Sequence, residues 1–305
     1  MSAYSSSRII KNLLIVFQWA IPVLSFIFIW YIIDQKAGND SFVATWKNAF
    51  NESILLLFFP FMFLLTSLNI GFESLKWKLS LNQQLSIFTA VEQTFLSFAA
   101  GFITPLRSGA LLARIITNEK SGAMHVVNAT LRMAVSQFTV TFFIGLTGLI
   151  GLFFHYELSY WAILVTIFTG SMAVIFSLVP FRSFTFFYKE FKIDGISFSR
   201  DLLMLSLLRY LVFASQFYFL LKFFGVKADW YFLSCLISVT YLVNSILPSG
   251  ILGKLGIREL SGILIIGECT GYVIETSCAA FFIWIMNQAL PAAIGSVLFL
   301  RRNFR

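Results

Sequence analysis

The stretch GFITPLRSGALLARIITNEKSG, residues 101–122, sets Pro105, Arg107, Gly109 and Arg114 in the middle of an apolar run. A second stretch, ILPSGILGKLGIRE, residues 246–259, repeats the pattern with Pro248, Gly250, Gly253, Gly256, Arg258 and Glu259. Arginine's planar fork holds two oxygens of a phosphate at once and stays charged at any working pH. Glycines beside it let backbone come close to a ligand, and the N-termini of helices that restart after a break offer free N–H donors and partial positive charge. The ionisable residues set in apolar surroundings are Glu92, Arg107, Arg114, Arg132, Arg209, Lys254, Arg258, Glu259 and Glu275, six basic against three acidic. A cavity with that balance is expected to favour an anionic group such as a lipid phosphate.

Each of these residues also has a plainer reading. Arg114 and Arg132 could snorkel to a membrane face, and Arg209 and Glu275 could satisfy contacts between buried helices. Ser136, Gln137 and Thr141 form a polar stripe that suits interhelical hydrogen bonding as well as a substrate path, and Gly145, Gly148 and Gly151 suit close helix packing. Arg258 and Glu259 are adjacent, so on a helix they diverge by about 100° and are not an automatic pair.

The elements that must position these residues are membrane helices. The chain of 305 residues is 58% hydrophobic and 12% charged, which excludes a conventional soluble globule. Six segments have the roughly twenty apolar residues that a crossing needs: 13–33, 53–72, 126–154, 160–180, 202–224 and 272–300. Two further apolar regions, 86–116 and 230–267, are interrupted near their centres by proline, glycine and basic residues. Broken backbone at membrane depth is tolerated only where protein or a water-filled cavity satisfies it. Both regions are therefore read as re-entrant helical hairpins, with Pro105 and Pro248 at the breaks.

Basic residues at 8, 11, 76, 78, 182, 189, 192, 200, 301, 302 and 305 are taken as cytoplasmic, and the short loop 155–159, without Lys or Arg, as external. This places both termini in the cytoplasm. It closes only if the first hairpin enters from the cytoplasm and the second from outside. Two spans, a hairpin and a span occur in 1–159 and again in 160–305, so the second copy is expected to be inverted. The fold class expected is an all-α polytopic membrane protein of about six transmembrane helices plus two re-entrant hairpins, forming a single domain. Segment 34–51 is read as external, with a brief interfacial helix, and 181–200 as lying along the cytoplasmic headgroups.

The net charge of +8 is spread over segment ends and forms no aromatic-interleaved patch, so no nucleic-acid partner is expected. Cys235, Cys269 and Cys278 form no metal or disulfide pattern and read as packing residues. His125 and His155 read as isolated loop histidines. No nucleophile elbow, zinc-protease helix, phosphate loop or paired aspartates are present, so neither catalysis, a metal nor a cofactor is expected. The first apolar segment continues into Tyr31 without a cleavage site and is expected to remain as a span.

Three stretches resemble the lysylphosphatidylglycerol synthase transmembrane family, the flippase-like module of multiple peptide resistance factors, in its stand-alone form. ESLKWKL from Glu73 resembles the family's basic-aromatic segment. TPLRSGALLAR matches its T-P-x-R-x-G-E-x-x-x-R pattern at Thr104, Pro105, Arg107, Gly109 and Arg114. LPSGILGKLGIRE matches a second pattern at Pro248, Gly253, Gly256, Arg258 and Glu259. The family's usual Glu after Gly109 is Ala110 here, which implies a different lipid or another acid such as Glu92. The resemblance implies a bacterial inner-membrane protein that moves lipid, or a lipid-linked group, between leaflets. The resemblance is to the membrane module alone and not to a synthetase domain, so synthesis of aminoacyl-lipid is not expected.

The expected function is translocation of an anionic phospholipid or lipid-linked group. Its site would be Arg107, Arg258, Arg114, Glu259, Gly109, Gly256 and Glu92. Two alternatives stay open: a membrane transferase with a polyprenyl-phosphate-linked donor, and a non-transporting subunit of a lipid-modifying complex. A homo-oligomer is one arrangement the sequence allows.

Overall fold

The computed structural model describes residues 55–81, 85–104, 107–155, 199–246 and 259–303, with the isolated positions Ile27, Tyr31 and Thr45. The expected span 160–180, most of 13–33, 34–51 and 181–200, and the residues Pro105, Pro248, Gly250, Gly253, Lys254, Gly256 and Arg258 lie outside the described residues. Every described element is helical. They are α1 (Leu55–Leu81), α2 (Ile87–Ile103), α3 (Ser108–Thr117), α4 (Ala123–His155), α5 (Arg200–Phe223), α6 (Trp230–Ile246), α7 (Val273–Trp284) and α8 (Leu290–Asn303). A helical stretch over 259–270 contains a π-helical turn at Ile263–Gly267, and a second π-helical turn, Ile285–Ala289, joins α7 to α8.

Four helices are long and apolar enough to cross a membrane: Leu57–Leu81, Ala123–His155, Arg200–Phe223 and Val273–Arg301. Their most apolar windows are only 28–33% buried, and Leu57, Leu64, Phe154 and Val297 stand exposed. Apolar side chains turned outward along such lengths are those of a protein solvated by lipid. A core of Phe217, Leu220, Leu221, Leu236, Ile283 and Met286 joins α5, α6 and α7 to the start of α1.

The span expected at 53–72 differs from the sequence reading at its end. It was expected to stop near Phe72, with Lys76 as a basic loop residue, but α1 runs unbroken to Leu81 and Lys76 is fully buried. Glu73, Lys76 and Lys78 resemble loop composition, yet they sit on a continuous helix whose polar face is turned inward. His125 and His155 are likewise on α4, not in loops. The His125 ring Nε2 lies 2.8 Å from the Leu81 carbonyl, and His155 stacks on Phe232.

Helices α2 and α3 are too short to cross and lie antiparallel against each other. Ser86 caps α2 by accepting from the Thr89 N–H at 3.1 Å. At the other end Thr104 staples the break: its hydroxyl donates to the Ala100 carbonyl at 2.8 Å and accepts from the Gly109 N–H at 2.7 Å. A Cβ on Gly109 would collide with the Ala100 carbonyl and with Thr104 Oγ1, so glycine there is required by close approach. The stretch that begins at Glu259 lies beside the end of α6, where Ser261 donates to Asn244 at 3.0 Å.

Helix α4, which follows the first hairpin, crosses α6, where Gly145, Gly148 and Gly151 meet Leu242, Ser238 and Cys235. Reciprocally, α8 crosses α2, where Gly295 meets the Phe95 backbone and Ala99. Helices α1 and α5 also pack on each other.

Candidate functional site

Along α1, Thr66, Asn69, Glu73, Lys76 and Ser80 recur at spacings of three and four residues, which places them on one face. That face is turned inward: Thr66, Asn69, Lys76 and Ser80 are at most 3% exposed, and the Glu73 side chain is 15% exposed. The fourteen helical rises from Thr66 to Ser80 make this a polar seam about 21 Å long. Burying such groups is costly without partners, and the neighbouring helices supply them.

At one end Gln216 of α5 donates to Thr66 at 2.9 Å and accepts from Asn287 at 2.8 Å. Asn287 in turn accepts from Asn69 at 2.6 Å. Asn287 reaches the seam from the π-helical turn between α7 and α8. Next along α1, Arg209 donates through Nε to Asn69 at 2.8 Å, and its Nη1 lies 2.8 Å from Glu73 Oε2. That approach lies off the axis of a hydrogen bond, so it is a charge contact.

Arg114 of α3 donates through Nη2 to Glu73 Oε1 at 3.2 Å, and Lys76 Nζ stands 4.0 Å from Oε2. Lys76 also donates to Gln137 of α4 at 3.0 Å. Nearest the end of α1, Arg132 donates to the Ser80 carbonyl at 3.0 Å. Three cations therefore meet one carboxylate, and three minus one leaves a surplus of two positive charges in a buried site.

Aromatic faces fix the arginines. Arg114 lies 4.7 Å over Trp77, Arg209 5.0 Å over Phe213, and Arg107 5.5 Å over Phe98. Stacking holds each guanidinium plane and leaves its edge for oxygen. Trp77 is itself pinned, donating to Gln93 at 2.6 Å, while Gln93 and Asn118 exchange amide bonds at 3.1 Å each way. Trp77→Phe removes the indole donor and should lower stability by about 1–2 kcal/mol. Thermal unfolding in detergent micelles checks this, and an unchanged midpoint would mean that the indole N–H makes no bond in solution.

Of the residues named from sequence, Arg114 is in this cluster. Arg107 caps α3 at the hairpin tip with φ 56, the one left-handed non-glycine among the described residues. A bulky residue holds that conformation only when its surroundings impose it. Its Nε and Ala110 Cβ both lie beside Gly101, so a glutamate at 110 would stand next to Arg107. With alanine there, Arg107 has no ion pair among the described residues.

Gly109 serves the hairpin crossing. Glu92 lies on an exposed face of α2, apart from the cluster, and Glu259 is buried at the start of 259–270. Arg209, read as a helix contact, joins the cluster through Glu73. Among the described residues no three His, Cys, Asp or Glu side chains converge as metal ligands would.

Glu73, Lys76, Asn69 and Asn287 were not singled out from the sequence as site residues. The three-and-four spacing of polar residues on α1 was the available signal; Asn287 had none. Compared with protein-family models, curated proteins and solved structures, the chain matches none. What the site can do therefore rests on its own atoms: two guanidinium groups held over aromatic faces and one ammonium converge on a single carboxylate whose side chain is 15% exposed, an arrangement with an excess of cationic donors.

Proposed function

We propose that this protein moves an anionic phospholipid or a lipid-linked anionic group between the leaflets of a bacterial inner membrane. The observation that carries the reading is the surplus of cations on a buried polar seam in a molecule whose outer faces are apolar. A headgroup phosphate in hydrocarbon needs charge compensation along its path, and the seam supplies Arg209, Arg114, Lys76 and Arg132 in succession. The acyl chains need no such path, because the outer faces are already lipid-like.

In this reading α2–α3 and the pair formed by α6 with 259–270 are re-entrant hairpins that approach from opposite sides. The two halves are inverted repeats, and both termini are cytoplasmic. The reciprocal crossings of α4 with α6 and of α8 with α2 support that symmetry. Rocking one half against the other would open the seam to each leaflet in turn. The likeness to the flippase-like family in the stretches at Glu73 and Thr104 points the same way.

The test is a leaflet-exposure assay in liposomes holding only the purified protein. Fluorescent anionic, zwitterionic and polyprenyl-phosphate lipids are followed with an impermeant quencher. Faster exposure is expected for the anionic classes, lowered about tenfold or more by Arg114→Gln or Arg209→Gln, since each removes a charged partner of the phosphate. No acceleration for any lipid, from protein shown to be folded, would overturn the reading and favour the transferase or the non-transporting subunit.

A further inference from the structure

Glu73 presents to the cluster what a bound phosphate would present. Its two oxygens are divided between two arginines, Oε1 facing Arg114 Nη2 at 3.2 Å and Oε2 facing Arg209 Nη1 at 2.8 Å. One oxyanion bridging two guanidinium groups is the pattern those groups make with phosphate. The fit to Glu73 is incomplete, since Oε2 makes no aligned hydrogen bond and Arg114 Nε, buried in a side chain 9% exposed, has no acceptor.

Next to the carboxylate stands a third cation that it barely uses. Lys76 lies one turn along the same helix, its Nζ 4.0 Å from Oε2, and one of its three N–H donors is committed to Gln137. The residue that would receive Glu73, if an anion took its place, is already in position.

We propose that Glu73 is an internal competitor for the anion: it neutralises Arg114 and Arg209 in the empty site, swings to Lys76 when a phosphate-class anion binds, and returns to expel that anion. This rests on the anion-binding reading above. The step is an exchange of ion pairs alone. The carboxylate leaves two guanidinium groups, the phosphate takes them, and Lys76 compensates the carboxylate, with no covalent bond made or broken. A translocation site needs such a device, because two stacked arginines in a dry site would otherwise retain a phosphate too long to pass it on.

The experiment measures anion binding to the purified full chain in detergent by titration calorimetry, together with anion-dependent thermal stabilisation. The two probes are inorganic phosphate and dihexanoyl phosphatidylglycerol. Glu73→Gln should bind about tenfold tighter than the wild-type chain, because the competing charge is gone, and should move lipid more slowly because release is hindered. Lys76→Met should do the opposite and bind more weakly, since the displaced carboxylate has nowhere to go. Lys76→Met leaves the paired arginines in place, so it decides the matter if Glu73→Gln proves too unstable.

Unchanged or weaker binding in folded Glu73→Gln, or unchanged binding in Lys76→Met, would overturn the competitor role while leaving the anion site intact. Failure of the wild-type chain to bind either probe would instead remove the anion-binding reading itself. Binding of the lipid alone would assign the site to a headgroup within its bilayer setting, and binding of both to the phosphate group as such; each agrees with the proposal.

Discussion

Glu73→Leu should lower the stability of the folded protein by about 3–5 kcal/mol, the range for removing one partner of a buried ion pair. The cost comes less from lost attraction than from the three cations left without a counter-charge, each within 4.0 Å of the missing carboxylate. Adding Arg209→Leu to Glu73→Leu should recover part of that loss, because it removes one uncompensated charge and replaces it with apolar volume. Unfolding in mixed micelles, followed for the two single variants and the double, gives the coupling directly. If Glu73→Leu unfolds within about 1 kcal/mol of the wild-type chain, water reaches the cations and the seam is not dry.

The second large effect is expected far from any charge. At Gly295 an added side chain meets the Phe95 carbonyl and, at 3.0 Å, Ala99 Cβ. A backbone atom cannot turn aside as a side chain can. Gly295→Leu must therefore push α8 away from α2, and the cost should be about 3 kcal/mol, the upper part of the range for overpacking. Val297→Leu, two residues on and 52% exposed, is the control and should change stability by less than about 0.5 kcal/mol. Equal midpoints for the two variants would show that α8 does not lie on α2 in solution.

Helices long enough to cross were legible because length and apolarity alone define them: the segments at 126–154, 202–224 and 272–300 lie on α4, α5 and the α7–α8 rod. The glycines at 145, 148 and 151, read as close packing, do face α6. What misled the reading at α1 was a local cluster of charge. Glu73, Lys76 and Lys78 look like the end of a span when judged by composition. Judged by period, Glu73 and Lys76 extend the polar face begun at Thr66 and Asn69, while Lys78 stands on the opposite side of the helix.

The pairing of Glu73 with Arg209 was beyond reach, because the two are 136 positions apart and nothing in either local pattern names the other. Asn287 was hidden for a different reason. Only the π-helical turn brings its side chain to Asn69 and Gln216, and an apolar run carries no mark of where one residue is added to a turn.

The length of α4 has a consequence for where the seam ends. At 33 residues it is about 50 Å long, some 20 Å more than the hydrocarbon of a bilayer. Tilt absorbs only part of such an excess, so one end of α4 has to stand among headgroups. His125 ties its first turns to the last residue of α1, and Arg132 and Ser80 follow within two turns. A helix overhanging at that end lifts the Arg132–Ser80 contact to the depth of the lipid phosphates, and the row of cations then begins as a landing stage on the membrane surface.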